Sequence, residues 1–556
     1  MRQRIVLFMA VAAVACGSGA GGGTSDPGPL DTTAPGDDAS APADVGPQEV
    51  SDPGGVDAFD STPLPDLPDI VFPDILPDNT PPTVIKTEPA DGATGVAIPF
   101  TIRVTFSEPM RFKETVDKNT FRVRDVDGKP VNGTFSYEEA TNTVIFTPDA
   151  GAKILQASPY HVSLSTIIQD KAGNGLKDWY YFTFYTALPP DMQPYQDLAA
   201  RYAPIVYQAT RKETPHFDYL TSFHFDGDWK ALDNYDAIKK ATEIRSYVFY
   251  DVVETKSHYF IRYGYFHPLH FGLIGSDAFG NELAGATVVV AKYPQQKPIA
   301  VLTYFPAEEQ EEVRSYVTQE SGIVGDKGPA YYGVNWVFPE AQLFPGGHYL
   351  AYLTASTHES CLWIHTQKEH ILDQRCSLTE GEKLGLSIVQ YVYDGGAVDT
   401  LKKDAGAFPA AKEAVRYGLR LVLEDFWTRR DALGDDTIYT TTFEYEAPEG
   451  RPGNGLKVPS AFLDPVDPSS PYKGRPPWAW QWQATVYDIG GQPFYVYQMP
   501  RGTYFLDPAF FFLKRHRLEA NWNWDTKTGY SLDYCFNPYL LIDQRALDPA
   551  CKPAGG

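Results

Sequence analysis

The stretch from Ser246 to Tyr293 (SYVFYDVVETKSHYFIRYGYFHPLHFGLIGSDAFGNELAGATVVVAKY) constrains the fold of this chain more than any other. It holds three runs rich in β-branched and aromatic residues, which fit a pleated, half-buried surface. Between two of the runs lies a polar loop with two His, an Asp and a Glu. No other segment gathers so many potential ligands beside such strand-forming sequence. The region is committed to a sheet, and any chemistry it carries has to be built at strand ends.

The amino terminus sets the compartment. Arg2 and Arg4 precede an apolar run from Ile5 to Ala15, followed by small residues and Cys16. That is the layout of a secretory signal, too short to span a bilayer as a mature helix. Ala13-Val14-Ala15-Cys16 resembles the lipobox of bacterial lipoproteins, with Ala13 where Leu is usual, and the resemblance implies a lipidated Cys16. Ordinary cleavage beside an incidental Cys is the alternative. Gly17 after Cys16 resembles the sorting pattern of outer-membrane lipoproteins. No later stretch is apolar enough to cross a membrane, so lipid is the expected anchor. Beyond Cys16 the chain has Cys361, Cys376, Cys535 and Cys551. An even number in an exported chain predicts disulfides, with 361–376 and 535–551 the shortest of three possible pairings.

Residues 17–79 are Gly, Ser, Pro, Ala and Asp-rich, with thirteen acidic residues and no Lys or Arg. Such a segment buries too little apolar surface to offset chain entropy and reads as a disordered tether. It would reach roughly 40 Å as a coil and about 200 Å if polyproline-like. Over half of the formal net charge of −24 therefore belongs to the spacer. An acidic chain with only one short basic cluster, Lys514 to Arg517, excludes nucleic acid as a partner.

From residue 80 to 187, alternating strands are predicted at Thr101–Phe106, Thr143–Thr147, Tyr160–Leu164 and Tyr181–Thr186. Turn signals at Asp91-Gly92, Asp127-Gly128 and Gly173-Asn174 punctuate them, which spells a β-sandwich. The pieces Pro89-Ala-Asp-Gly-Ala-Thr-Gly95, Val104-Thr-Phe-Ser-Glu-Pro-Met110, Phe146-Thr-Pro148 and Asp170-Lys-Ala-Gly-Asn174 resemble the bacterial Ig-like family related to S-layer repeats of SbsA type. The resemblance implies a stalk or adhesion module without catalytic residues. Asp170 and Asn174 are expected to stabilise a turn, with calcium binding as the alternative.

Residues 190–556 form a second, larger domain of mainly β or α+β class, read as a β-sandwich core with helical insertions. A short helix is predicted within Gln193–Tyr207. Strands follow at Ile244–Val253, His258–Phe266, Ala286–Ala291, Ile299–Thr303, Tyr349–Ala355 and Tyr439–Tyr445. Further helices are predicted at Ala307–Val317 and Ala410–Arg430, the latter from Val415, Leu419, Leu421, Leu423 and Phe426. The candidate metal ligands are His267, His270, Asp277 and Glu282, with His358 from a later loop. Imidazole and carboxylate converging from rigid elements suit a divalent ion. Tyr202 to Tyr207 (YAPIVY), the His-rich loop and Thr354 to His358 (TASTH) resemble Vps62-like and NPP1-like β-sandwich proteins. The NPP1-like metal motif GHRHDWE is absent, since the loop here reads HPLHFGLIGSDAFGNELAG.

Asp226, Asp228 and Asp233 are a further acidic group without EF-hand spacing. Clustered Trp at 478, 480 and 482 and at 522 and 524 is either core or a platform for sugar rings. No G-x-S-x-G, H-E-x-x-H, phosphate-binding Gly loop or C-x-x-C is present. Three functions remain: a non-catalytic surface lipoprotein that binds a glycan or surface protein, a metal-dependent extracellular hydrolase or toxin-like effector using residues 267–282, and a purely structural envelope protein.

Overall fold

The alternation within residues 80–187 becomes two antiparallel sheets around one core. The computed structural model describes residues 78–551 apart from 127, 272–277, 307–310, 324–334, 364–386, 403–413, 433–436, 467–473, 482 and 488–492. One sheet runs Val84–Glu88, Ile102–Phe106, Thr143–Pro148, Gly133–Glu138, and the other Phe121–Arg124, Pro159–Leu164, Tyr180–Tyr185. Ile102, Val104 and Phe146 of the first face Phe121, Val162 and Phe182 of the second in a shared cluster. The Asp170 carboxylate accepts from the Gly173 and Asn174 amides at 2.6 and 2.8 Å, so it does hold a turn. Arg430 of the large domain donates to the Ala157 carbonyl at 3.2 Å and ties the two domains together.

The large domain is also mainly β, and its core is one curled 13-stranded sheet rather than a sandwich of two. Its middle is an antiparallel run of Tyr247–Thr255, His258–His270, Phe279–Ala291, Lys297–Pro306 and Glu311–Thr318. The register aligns Val252, Ile261, Val288, Val301 and Tyr316 in one buried row across five strands. The strands Val415–Leu421, Ser387–Tyr393, Ile205–Thr210, Leu350–Leu353 and Ser360–Leu362 extend the sheet on the other side. Sheets this wide rarely stay open and flat. Here the far edge returns: Arg314, near one end of the strand order, donates to the sulfur of Cys361, in the last strand at the other end, at 3.2 Å.

Two predicted helices are strands. Residues 311–318 pair antiparallel with 300–306, where ladder hydrogen bonds override the helix propensity of the Glu-rich sequence. In the predicted helix Ala410–Arg430, Val415, Tyr417, Leu419 and Leu421 alternate, and they form a strand parallel to Tyr247–Tyr250. Both periods share positions 415 and 419, and pairing with the neighbouring strand selects the extended form. Only Leu423–Trp427 keeps a helical, π-type turn. The helix at Gln193–Arg201 ends ahead of Pro204 as expected. Of the Tyr439–Tyr445 strand, Thr442–Tyr445 forms.

The central strands are buried on both faces, and that burial takes charges with it. Arg262 and Asp251 face each other across neighbouring strands, each 2% exposed, with Nε donating to Oδ1 at 2.5 Å. The guanidinium also donates to the Phe505 carbonyl and lies over the Phe505 ring at 3.6 Å. The Cys535–Cys551 disulfide forms. Cys361 is disulfide-bonded, and Cys376, its expected partner, lies outside the described residues, as does Cys16. Among the described residues no helix is long and apolar enough to cross a membrane.

Asp251→Ala should cost about 3–5 kcal/mol in urea unfolding, because it strands a buried guanidinium. The double variant Asp251→Leu/Arg262→Met should lie closer to wild type than that single variant. Acid stability has a separate handle. Burial, followed by nearby Lys292, pushes the His258 imidazole down from 6.5 to about 3. A depressed histidine supports the fold above pH 6.5, and that support is lost as pH falls towards about 3. Unfolding free energy should drop on acidification from pH 7 to 5, and His258→Gln should flatten part of that drop.

Candidate metal centre

The strand carrying the two histidines does not stop at His267. It runs on to His270, and the next strand begins at Phe279, so Glu282 sits inside a strand and pairs directly with His267. This long hairpin replaces the expected loop-borne arrangement and fixes both side chains on rigid backbone. Asp277 lies outside the described residues.

His358 arrives from the turn between Leu350–Leu353 and Ser360–Leu362. Ser356 and His358 both adopt left-handed backbone, with φ of 76° and 47°. Each such residue costs on the order of 1–3 kcal/mol and persists where surrounding contacts over-determine it. Those contacts are visible. The Phe271 amide donates to the Ser356 carbonyl at 2.9 Å, Ser356 N donates to Asp218 Oδ1 at 2.8 Å, and Glu359 N donates to Thr354 Oγ1 at 2.8 Å.

The curl of the sheet therefore places His358 against the hairpin. His358 Nδ1 stands 2.6 Å from Glu282 Oε2, and His270 Nδ1 stands 3.1 Å from the same oxygen. The His267 and His358 rings stack in parallel, 3.6 Å between centroids and 2° between planes. Ligand-capable atoms of His267, Glu282 and His358 all fall within 4.8 Å of one another. These three residues are 0% exposed and His270 is 5% exposed. On its far side His358 Nε2 meets Asp218 Oδ1 at 3.1 Å, and His267 Nε2 meets Gln208 Oε1 at 3.1 Å.

The electrostatics follow from the burial. Desolvation disfavours a charged His358, yet the carboxylates of Glu282 and Asp218 outweigh it and raise the imidazole to about 9. Desolvation would raise Glu282, but His270 and His358 hold it below the usual carboxylate value. Burial and then the positive fields of His358 and His270 push His267 well down, so it is neutral. Proton-filled, the centre is an imidazolium between two carboxylates. Two of its buried atoms, His267 Nδ1 and Glu282 Oε1, make no hydrogen bond among the described residues. Unsatisfied buried polar atoms are rare, and a cluster of them calls for an explanation such as an ion. Imidazole nitrogens with one carboxylate suit a zinc-class ion better than calcium or magnesium, which prefer oxygen.

Sequence reasoning missed Gln208 and Asp218. Gln208 had a signal, as a polar residue in register with Val206 and Thr210 on the buried side of a strand. Asp218 ends a short 3-10 turn, Pro215–Asp218, and had none. Elsewhere, Asp226, Asp228 and Asp233 do gather, as do Asp78, Glu108 and Asp170, but each group includes exposed members. Trp478 and Trp480 are core, Trp524 is partly exposed, and Trp482 lies outside the described residues, as do His365 and His370.

Comparison with known proteins bears on the first domain. No curated protein matches the chain. Among solved structures it is similar to the methionine-rich copper resistance protein PcoC from Escherichia coli (15% identity, TM-score 0.16, covering 19% of this chain and 99% of that one). It is similar to CopC from Methylosinus trichosporium OB3b (11% identity, TM-score 0.16, 20% and 97%). It is also similar to the N-terminal part of the bacterial S-layer protein SbsC (12% identity, TM-score 0.15, 33% and 40%). Scores this low leave the large domain to be argued from its own geometry. Residues 78–186 match the bacterial Ig-like domain family, and the first domain is therefore a bacterial Ig-like domain of the kind carried by exported and surface proteins.

Proposed function

We propose that this chain is a surface lipoprotein whose large domain is a non-catalytic binding module assembled around a buried zinc-class ion. The observation that carries the reading is the convergence of His267, Glu282 and His358 at zero exposure. A catalytic ion keeps a coordination position open to substrate, whereas a structural one is closed by protein. His267, His358 and Glu282 would hold the ion, and His270 would lie beside it against Glu282. The ion would lock the returning edge of the sheet to its centre. The hydrolase reading uses the same residues but needs one of them to face solvent.

The finer placement rests on the sequence. Cys16 would carry the lipid, residues 17–79 would span the gap from the outer membrane, and the Ig-like domain would hold the large domain outward. A glycan or a surface protein is the class of ligand such display serves.

Elemental analysis of the purified full chain should find about one zinc-class ion per molecule. A chelator should lower the melting temperature, and the double variant His267→Ala/Glu282→Ala should lose the ion. Metal-free protein with a chelator-insensitive melt would remove the centre. Ester or peptide hydrolysis that disappears in the double variant would favour the enzyme instead. For the anchor, Cys16→Ala should move the protein from the membrane fraction to the soluble exported fraction.

A further inference from the structure

The hydrogen bonds behind the two stacked histidines carry more information than the ligands themselves. Gln208 is fully buried, and its amide has only one workable orientation. Its nitrogen donates to the carbonyls of Ala209 and Thr354 at 2.8 and 3.1 Å. Both are acceptors, so the amide nitrogen must lie on that side, and Oε1 must be the atom facing His267 Nε2 at 3.1 Å. An amide oxygen only accepts. His267 Nε2 therefore carries the proton, and Nδ1 of the neutral ring is left as a lone pair. Nδ1 is also a buried atom that makes no hydrogen bond of good geometry among the described residues.

Asp218 does the same for His358. Its carboxylate is itself pinned, accepting from the backbone amides of Arg211 and Ser356 at 2.8 Å each. Oδ1 then receives Nε2–H of His358 at 3.1 Å, which leaves Nδ1 as the nitrogen on the Glu282 side. Two unrelated side chains, one from a strand and one from a 3-10 turn, thus each take up the Nε2 side of one of two rings 3.6 Å apart, which leaves the Nδ1 sides free for a cation once His358 gives up its second proton. On the other side of the rings, Glu282 Oε2 takes up His358 Nδ1 at 2.6 Å, whereas His267 Nδ1 makes no hydrogen bond among the described residues. Partners of this kind set ring orientation and raise ligand basicity at metal sites.

We propose that Gln208 and Asp218 are positioning residues that hold His267 and His358 in the Nε2–H tautomer, so that both bind a zinc-class ion through Nδ1. This rests on the metal-centre reading above and adds which atoms bind and which residues aim them. Neither residue touches the ion. Gln208 acts through His267, and Asp218 through His358.

The test is zinc affinity of the full chain, read by competition with a chelating dye, for wild type, Gln208→Leu, Gln208→Glu and Asp218→Asn. Metal-free melting curves are recorded alongside. Gln208→Leu removes the acceptor and should weaken zinc binding roughly 10- to 100-fold. Gln208→Glu keeps an acceptor oxygen for His267 Nε2–H while giving up the amide donors to Ala209 and Thr354. It should bind zinc within a few-fold of wild type even if its metal-free melt is lowered. Asp218→Asn retains an acceptor and should lie between wild type and Gln208→Leu. A purely structural Gln208 predicts the opposite order, with zinc affinity following the melting temperature and the Glu variant at least as impaired as Leu. That order overturns the proposal while leaving the metal centre standing, as does a Leu variant that binds zinc like wild type. Wild-type protein that binds no zinc overturns both.

Discussion

The contact of His358 with Glu282 is a charged link between the returning edge of the large sheet and its middle, beside the Arg314–Cys361 contact. Glu282 sits near the sheet's centre, and His358 sits in the turn before its last strand. Joining them at 2.6 Å converts a wide open sheet into a curled one without an exposed path between edge and middle. The price is that an imidazolium and two carboxylates are taken out of water, which is favourable only when every charge is matched. Asp218 and Glu282 supply the match for His358. Among the described residues, His267 Nδ1 and Glu282 Oε1 are left without a hydrogen bond.

The same logic of paired burial recurs away from that centre. Arg262 and Asp251 sit on neighbouring strands of the same hairpin run, and the guanidinium bonds a carbonyl of the carboxyl-terminal helical segment. One pair thus fastens the sheet's middle to the layer that covers it, as His358 fastens its edge. The left-handed backbone at Ser356 and His358 fits this picture. A turn held in strain by Asp218, Thr354 and Phe271 delivers an imidazole to one place, which a relaxed loop would not do.

The two domains divide the work. The Ig-like domain has its own apolar cluster and a turn fixed by Asp170, and none of its described residues joins the histidine centre. Arg430 couples it to the large domain through the Ala157 carbonyl. The Ig-like core and the histidine centre are therefore separate in structure.

Much of this was legible in the chain itself. Period-two alternation with Gly and Asn turns specified the Ig-like strands, and the aromatic, β-branched runs of 246–293 specified the central hairpins. His267, His270, Glu282 and His358 were also legible as a ligand set, because residue type alone limits what can bind a metal. Other features were decided by tertiary contacts. Residues 415–421 fit both helical and strand periods, and only a neighbouring strand at 247–250 selected one. The extension of the His258–His270 strand through His267 came from its pairing with Glu282. Gln208 and Asp218 joined the site only when the sheet curled, since hydrogen bonds between residues some 60 to 140 positions apart leave no local pattern. Sequence determined which residue types were candidates for a ligand set, and closure of the sheet decided which of them meet, because that depends on contacts far apart in the chain.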